Sequence, residues 1–424
     1  MLLAAPARSG DRPTTLVHPP WKHNLGFNKL RDFHVSAYGG YGRAIDDPRG
    51  IAAVKLLFQD ADGPGDDDEV TVYGVNAGRR EVIYNPSLVE LAFFGDEQMG
   101  GDGFDDPVGI GADANGRVVV GDRGNDRVVF LRMGEDARLR FDRSVTLGEG
   151  ARPLSAPAGV AVSQGRVYVA DAGNDRVVVL DTAGAYVGEV PCERPFGVAV
   201  LDGDAENYYG ERFVVVTDRD GKRLLQVSLV DGSTRSVLYG ETTGGEGGFD
   251  YPAVDYDANT FVGDAATGCV YKFDASLALV ARFECRGDED GDLDEPRGIA
   301  IHRRLGQVFV AENTGVSYYW IGTDVTGLRA RLHGDGDVLE VDVQFMLTER
   351  SDVSVDLETE AGEGVVTLAR DARTRPGAFR RRYPVDRSDL PCDVADCTYR
   401  IAVRARTTYS SRNHLEIVRF APVR

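Results

Sequence analysis

Six times along this chain a proline, followed two residues later by a small residue in most copies, opens a short apolar strand. A second strand ending in Asp or a near relative comes after it. The fullest copies are Pro107-Val108-Gly109-Ile110 leading to Val120-Gly121-Asp122-Arg123-Gly124-Asn125-Asp126-Arg127, and Pro157-Ala158-Gly159-Val160 leading to Val169-Ala170-Asp171-Ala172-Gly173-Asn174-Asp175-Arg176. The other copies open at Pro48, Pro195, Pro252 and Pro296, so the mean spacing is about 50 residues, the length of a four-stranded blade with generous loops. Each unit reads as four strands. In the third these are Gly159–Val162, Arg166–Ala170, Arg176–Leu180 and Ala185–Val190. Long stretches of helical period are lacking, and the chain is predicted to be all-β. The Asp-x-Gly-Asn tetrapeptide between the second and third strands is expected to supply the positive-φ residue of a hairpin turn.

A ring of blades needs closing. The stretch Phe33-His-Val-Ser-Ala-Tyr-Gly-Gly40 before Asp46-Asp47-Pro48 has the layout of Val89-Glu-Leu-Ala-Phe-Phe-Gly95 before Asp105-Asp106-Pro107, and it reads as an outer strand donated to the last blade. Such closure removes a free edge. The predicted organisation is an N-terminal arm over 1–32, a six-bladed β-propeller over 33–323, a linker over 324–336, and a β-sandwich over 337–424. The last segment has strands such as Val338–Phe345, Val353–Leu357 and Tyr399–Arg404.

Of the 424 residues 42% are hydrophobic, enough for two cores, and no apolar run approaches the roughly 20 residues of a membrane span. A formal charge of −20 argues against nucleic acid, since phosphate binding needs clustered Lys and Arg. From Asp324 onward 17 acids nearly balance 16 arginines, so the excess lies in the repeats. An acidic surface favours cations or basic partners. Cys392 and Cys397 are close enough to bridge a loop, whereas Cys192, Cys269 and Cys285 are expected to pack as small apolar groups. Met1-Leu-Leu-Ala-Ala-Pro-Ala7 looks like the end of a signal peptide, so export is expected.

Pro157 to Val177 resembles the NHL family of β-propellers nearly throughout, with its Pro-x-Gly-Val-Ala-Val opening and Val-Tyr-Val-Ala-Asp-x-Gly-Asn-x-Arg-Val continuation. Pro107 to Val128 matches well, and Pro195 with Asp218 to Arg223 in part. The remaining copies decay: Asn76 and Glu81 stand for Asp and Arg in the first, Asp264 is followed by Cys269 in the fifth, and Glu312 and Ser317 occupy the sixth. The C-terminal segment resembles an Ig-like domain of flagellar-hook-cap proteins, through Pro376-Gly-Ala-Phe379 and Cys397-Thr-Tyr-Arg-Ile-Ala-Val-Arg404. That likeness implies a spacer or adhesion module. NHL proteins that carry RING modules or bind RNA do so with Cys/His clusters or a basic face, and this chain has neither.

Two sets of residues are candidates for function. The pairs Asp122/Arg127, Asp171/Arg176 and Asp218/Arg223 either face a ligand or clamp their own hairpins. Their spacing follows the turn and they vanish where the repeat decays, which favours the clamp. The loops on the same face, with Asp96, Glu97, Asp102, Asp105, Asp106, Glu246 and Asp250, are expected to form a negative rim. Asp288, Asp290, Asp292, Asp294 and Glu295 alternate around a glycine as Ca²⁺-wrapping loops do, without the spacing of an EF-hand; a second Asp60-Ala-Asp62-Gly63 is similar. Of six histidines only His302 lies within a blade's core strands, which argues against a multi-His zinc centre, and there is no Gly-x-Ser-x-Gly or His-Glu-x-x-His. The expected function is a non-catalytic binding or scaffold module for a protein, peptide or glycan. The alternative is a lactonase-like or lyase propeller enzyme using a divalent cation in the channel.

Overall fold

In the computed structural model, the described residues are 13–19, 29–40, 42–59, 70–88, 90–148, 150–203, 208–283, 285, 293–362, 366–392 and 396–423. The chain forms two compact units, Trp21–Tyr319, and Met1–Pro20 with Trp320–Arg424. The first holds six antiparallel sheets arranged as propeller blades. Their inner strands begin at Pro48, Pro107, Pro157, Pro195, Pro252 and Gly298, and the first five blades run outward in chain order. Blade 3, for instance, comprises Pro157–Ser163, Arg166–Asp171, Arg176–Asp181 and Tyr186–Pro191. Its Val167, Val169, Val177 and Val178 are fully buried, as β-branched side chains on an alternating strand between two neighbouring blades should be.

The ring closes around its axis through backbone contact. A Cβ on Gly109 would lie 2.5 Å from the Ala158 carbonyl oxygen and 2.6 Å from the Gly159 Cα. Gly50 stands likewise against Gly109, Gly159 against Gly197, and Gly298 against Arg49 and Ile51. The small residue of the repeat is therefore set by blade-to-blade approach. In blade 5 the pattern shifts. Pro252 pairs with Val262 where Pro195 pairs with Asp218 and Val198 with Val216, so Pro252 takes the place of Val198, three residues later in the unit. Phe249 then stands where the other blades have proline, and Tyr251 where all five of them have the axial glycine. Pro252 is thus not the equivalent of the other opening prolines, and a Cβ on Gly197 would lie 3.1 Å from the Tyr251 Cα.

Ring closure uses the N-terminal segment, but through other residues than expected. Lys29, Leu30 and Arg31 pair with Ser317, Val316 and Gly315 of blade 6. Residues 33–40, read above as that strand, form the helix Asp32–Gly39. The strand position is already filled, and side chains stitch the turn: the Arg31 N–H donates to His34 Nδ1 at 3.0 Å and the Ile45 N–H to Asp32 Oδ1 at 2.6 Å. The apolar alternation of 33–38 misled because only Val35 is buried.

Hairpin chemistry also differs from expectation. The turns Arg123–Asn125 and Ala172–Asn174 are single 3-10 turns, and the left-handed residues are Asp126 (φ 49°) and Asp175 (φ 54°) that follow them. Gly124 is needed for space instead, since a Cβ there would lie 2.5 Å from the Asp105 carbonyl oxygen that accepts its N–H.

In the second unit two antiparallel sheets form a sandwich. One contains Val325–His333, Val338–Leu347 and Gly377–Asp386; the other has Val366–Thr374, Ser351–Thr359, Tyr399–Thr407 and Ile417–Pro422. Val341, Val343, Val353, Val355, Ile401 and Val403 of the facing sides pack into one core. The expected linker over 324–336 is mostly a strand of this sandwich, its Ala330 buried against Val343. Leu16 and Val17 pair with Ile321 and Trp320 of the same unit.

Two disulfides are present. Cys392–Cys397 spans the loop noted above. Cys269–Cys285 corrects the reading of both residues as merely apolar, because their Cα atoms come within 4.1 Å once blade 5 folds. Cys192 is a buried thiol.

Candidate functional site

The turns between second and third strands and the connections leading to the next blade meet on one face, as Gly124 with Asp105 and Gly173 with Ser155 illustrate. On that face the Asp/Arg pairs are hairpin clamps. Asp171 is fully buried and accepts from the Ser155 N–H (2.7 Å), Asn174 Nδ2 (2.8 Å) and Arg176 Nε (2.8 Å). Asp122 does the same with the Asp105 N–H, Asn125 and Arg127. Burial raises the Asp122 pKa against the opposing pull of those donors. The third pair does not form: Asp218 accepts from the Lys222 N–H at 2.8 Å, and Arg223 lies 3.8 Å from Glu193. Asp218 retains partial exposure, so no low-dielectric pocket draws the arginine in.

The decayed copies keep the clamp by other means. In blade 1 Asn76 donates to Glu81 (2.9 Å), and Arg43 from the preceding connection supplies the cation. In blade 6 Glu312 accepts from Ser317, from the Asp294 N–H (2.9 Å) and from Arg31 (3.4 Å) of the closing strand. Blade 5 dispenses with a cation: Asp264 accepts from the hydroxyls of Tyr239 and Thr267 and from the Ala266 N–H.

Three acids of the expected rim, Asp102, Asp105 and Asp106, are held in ion pairs. Asp102 pairs with Arg127 at 2.6 Å and Asp105 with Arg80 at 3.3 Å. A continuous chain of charges crosses blades 6, 1 and 2: Glu295 to Arg297 (3.2 Å), Arg297 to Asp47 (2.6 Å), Asp47 to Arg49 (2.6 Å), Arg49 to Asp106 (2.7 Å), and Asp106 to Arg123 (2.5 Å). Burial works against charge on Asp106, but hydrogen bonds from Arg123 and Arg49 hold its carboxyl below the usual range. Asp47, Asp106 and Glu295 each precede the opening proline with φ near +50°, an uncommon conformation for such residues that fixes their direction at the mouth. Sequence reading missed Asp47, Arg49, Arg123 and Arg297. The signal lay in the x of Pro-x-Gly, which is Arg in the first and last copies.

Glu246 is exposed on its connection. The side chains of Asp96 and Glu97, which open the 3-10 turn Asp96–Met99, lie outside the described residues, as do Asp60 and Asp62 and, of the five proposed calcium ligands, Asp288, Asp290 and Asp292. Asp294 and Glu295 are engaged as above. Among the described residues no three His, Cys, Asp or Glu side chains gather as a metal site. His302 Nδ1 is 3.1 Å from Gln307 Oε1, and burial lowers its pKa to about 4.

Asp250 stands apart. Its Oδ2 accepts only the Ala265 N–H among the hydrogen bonds described, at 3.1 Å. Burial and the nearby charges of Asp264 and Glu295 push its pKa up to about 7, with Arg297 pulling the other way. The native carboxyl thus keeps its proton well above the ordinary 3.8, so its contribution favours the fold below that value and is lost as pH rises through about 7. Asp250→Asn is expected to raise the urea midpoint over wild type at pH 8 and to leave it unchanged at pH 4; an equal change at both would refute the assignment.

Two side chains reach across the axis from one blade to others. Tyr251 projects from the axial glycine position, packs with Val108, Ala158 and Ala170, and lies 5.2 Å from the Phe196 ring centroid. From the end of blade 6's inner strand Arg303 reaches the carbonyls of Val200 in blade 4 and Val254 in blade 5.

Residues 154–180 match the NHL repeat family. This is the third blade's first three strands. No curated protein sequence matches the chain significantly. Among solved structures, the chain is similar to a gluconolactonase from Xanthomonas campestris (14% identity, TM-score 0.47, covering 73% of this chain and 99% of that one). It is also similar to a virginiamycin B lyase from Staphylococcus aureus (12%, 0.40, 71% and 97%) and to regucalcin, a calcium-binding protein from Agrobacterium tumefaciens (11%, 0.41, 64% and 89%). At such identities these likenesses say nothing of chemistry.

Proposed function

We propose that the propeller is a non-catalytic binding module whose working surface is the hairpin-bearing face around the channel mouth, and that it takes a protein or peptide segment. The observation that carries this reading is the crossing of the axis by two side chains: Tyr251 packs against blades 2 to 4 and Arg303 reaches blades 4 and 5, which narrows the axial space that a small substrate would need. What the face offers is a band of alternating charge, from Glu295 to Arg123, and the half-buried ring of Phe196. Peptide chains present both charges and apolar side chains at similar spacing, and a band already held in place costs little to order on binding. The C-terminal sandwich is proposed as an Ig-like spacer. Two disulfides support export to an oxidising compartment.

The test is crosslinked capture of partners by the full chain, comparing wild type with Phe196→Ala and Arg297→Ala, alongside lactone and lyase turnover assays with Ca²⁺ and Mg²⁺. Capture is expected to fall at least tenfold in both variants while far-ultraviolet dichroism is unchanged. Cation-dependent turnover by the wild type, or capture indifferent to both substitutions, would overturn the reading.

A further inference from the structure

The six second strands can be aligned on Asn76, Asp122, Asp171, Asp218, Asp264 and Glu312. Two residues before these positions stand Gly74, Val120, Val169, Val216, Val262 and Val310. The alignment is structural: Gly74 pairs with Ile51 as Val120 pairs with Ile110, Val169 with Val160, Val216 with Val198, Val262 with Pro252 and Val310 with Ile299. All five valines are at most 1% exposed, filling the space between one blade and the one before it. Blade 1 alone lacks that side chain. A Cβ built on Gly74 would find only the Ile83 carbonyl oxygen, 4.0 Å away.

The space it leaves is a cavity of about 110 Å³ at the seam between the first and last blades, lined by Ile83, Leu88, Phe309 and Val316 among other apolar groups. That is somewhat below the ~150 Å³ of an apolar cavity that stays dry and admits benzene or xenon. Two asparagines break the lining: Asn76 is satisfied by the Asp46 N–H, the Ala44 carbonyl and Glu81, whereas Asn85 Oδ1 is buried without a hydrogen-bond partner among the described residues. An acceptor left so costs stability unless something donates to it.

We infer that this seam is a binding site for a small apolar molecule with a single hydroxyl or N–H donor, seated in the space vacated by the missing valine and hydrogen-bonded to Asn85 Oδ1. The void gives up dispersion contacts that an occupant restores, and the glycine, itself unfavourable within a strand, has no turn or close approach to justify it.

Phenol and toluene serve as probes, titrated into the full chain by saturation-transfer NMR and thermal melting. Wild type is expected to bind both. Asn85→Leu should weaken phenol about five- to tenfold and spare toluene. Gly74→Val should abolish both and raise the melting temperature by a few degrees without ligand; Gly74→Ala, which the spacing admits without a clash, should weaken both if the valine variant folds poorly. A folded wild type that binds neither probe, a Gly74→Val protein that binds as wild type does, or an Asn85→Leu change that affects the two probes equally would each overturn the inference.

Discussion

Asp171→Ala is expected to lower the unfolding free energy by about 3–5 kcal/mol, the usual cost of removing one partner from a buried ion pair. The carboxylate is fully buried and accepts three hydrogen bonds that join the third blade's hairpin to the connection before it. Its loss would leave Arg176, 4% exposed, with only Glu189 at the surface to balance it, and the Ser155 N–H unmet, while Asn174 Nδ2 would keep only its bond to the Pro153 carbonyl. Asp218→Ala, at the equivalent position of blade 4, is expected to stay within about 0.5 kcal/mol because no arginine is drawn to it. Urea unfolding of both proteins checks the pair. Equal effects would show that these acids matter for turn propensity and not for burial.

The second large effect belongs to the axis. Gly109→Ala places a methyl 2.5 Å from one backbone oxygen and 2.6 Å from a Cα of the next blade, and neither can swing aside as a side chain could. Relief requires moving blade 2 away from blade 3, which opens buried surface on both. About 3 kcal/mol or more is expected, at the upper end of overpacking costs. Gly240→Ala, where nothing stands within 4 Å, provides the contrast. A Gly109→Ala protein with the wild-type urea midpoint would mean that the blades slide freely about the axis.

Much of the propeller was legible because its period is written in residues with single jobs. Proline begins the inner strand, glycine permits blade approach, and the Asp/Arg pair clamps the hairpin; each of these survives in blades 2 and 3. What escaped was whatever depended on partners distant in sequence. Residues 33–40 alternate like a strand, but the edge they were expected to cover is taken by Lys29–Arg31. Pro252 looks like an opening proline, and only its pairing with Val262 reveals the three-residue shift that sends Tyr251 into the axis. The acidic loops read as a negative rim because arginine partners come from the neighbouring blade, Arg80 for Asp105 and Arg49 for Asp106, and Asp47 was missed because its partner Arg297 lies 250 residues away. The Cys269–Cys285 bond was hidden for the same reason, lying between blade 5's third strand and the residues just past its fourth.

The reversed clamp of the first blade bears on how such a ring keeps its order. Blade 2 sets Arg127 against Asp102 of the connection before it; blade 1 sets Glu81 against Arg43. A first-blade hairpin moved into the second position would put Glu81 beside Asp102, and the opposite exchange would put Arg127 beside Arg43. Each misplacement brings like charges together, one of each pair a largely buried hairpin side chain and the other on the exposed connection. Duplicated units that began as copies have in this way become distinct pieces, and the sign of the charge at the junction tells the first place in the circle from the second.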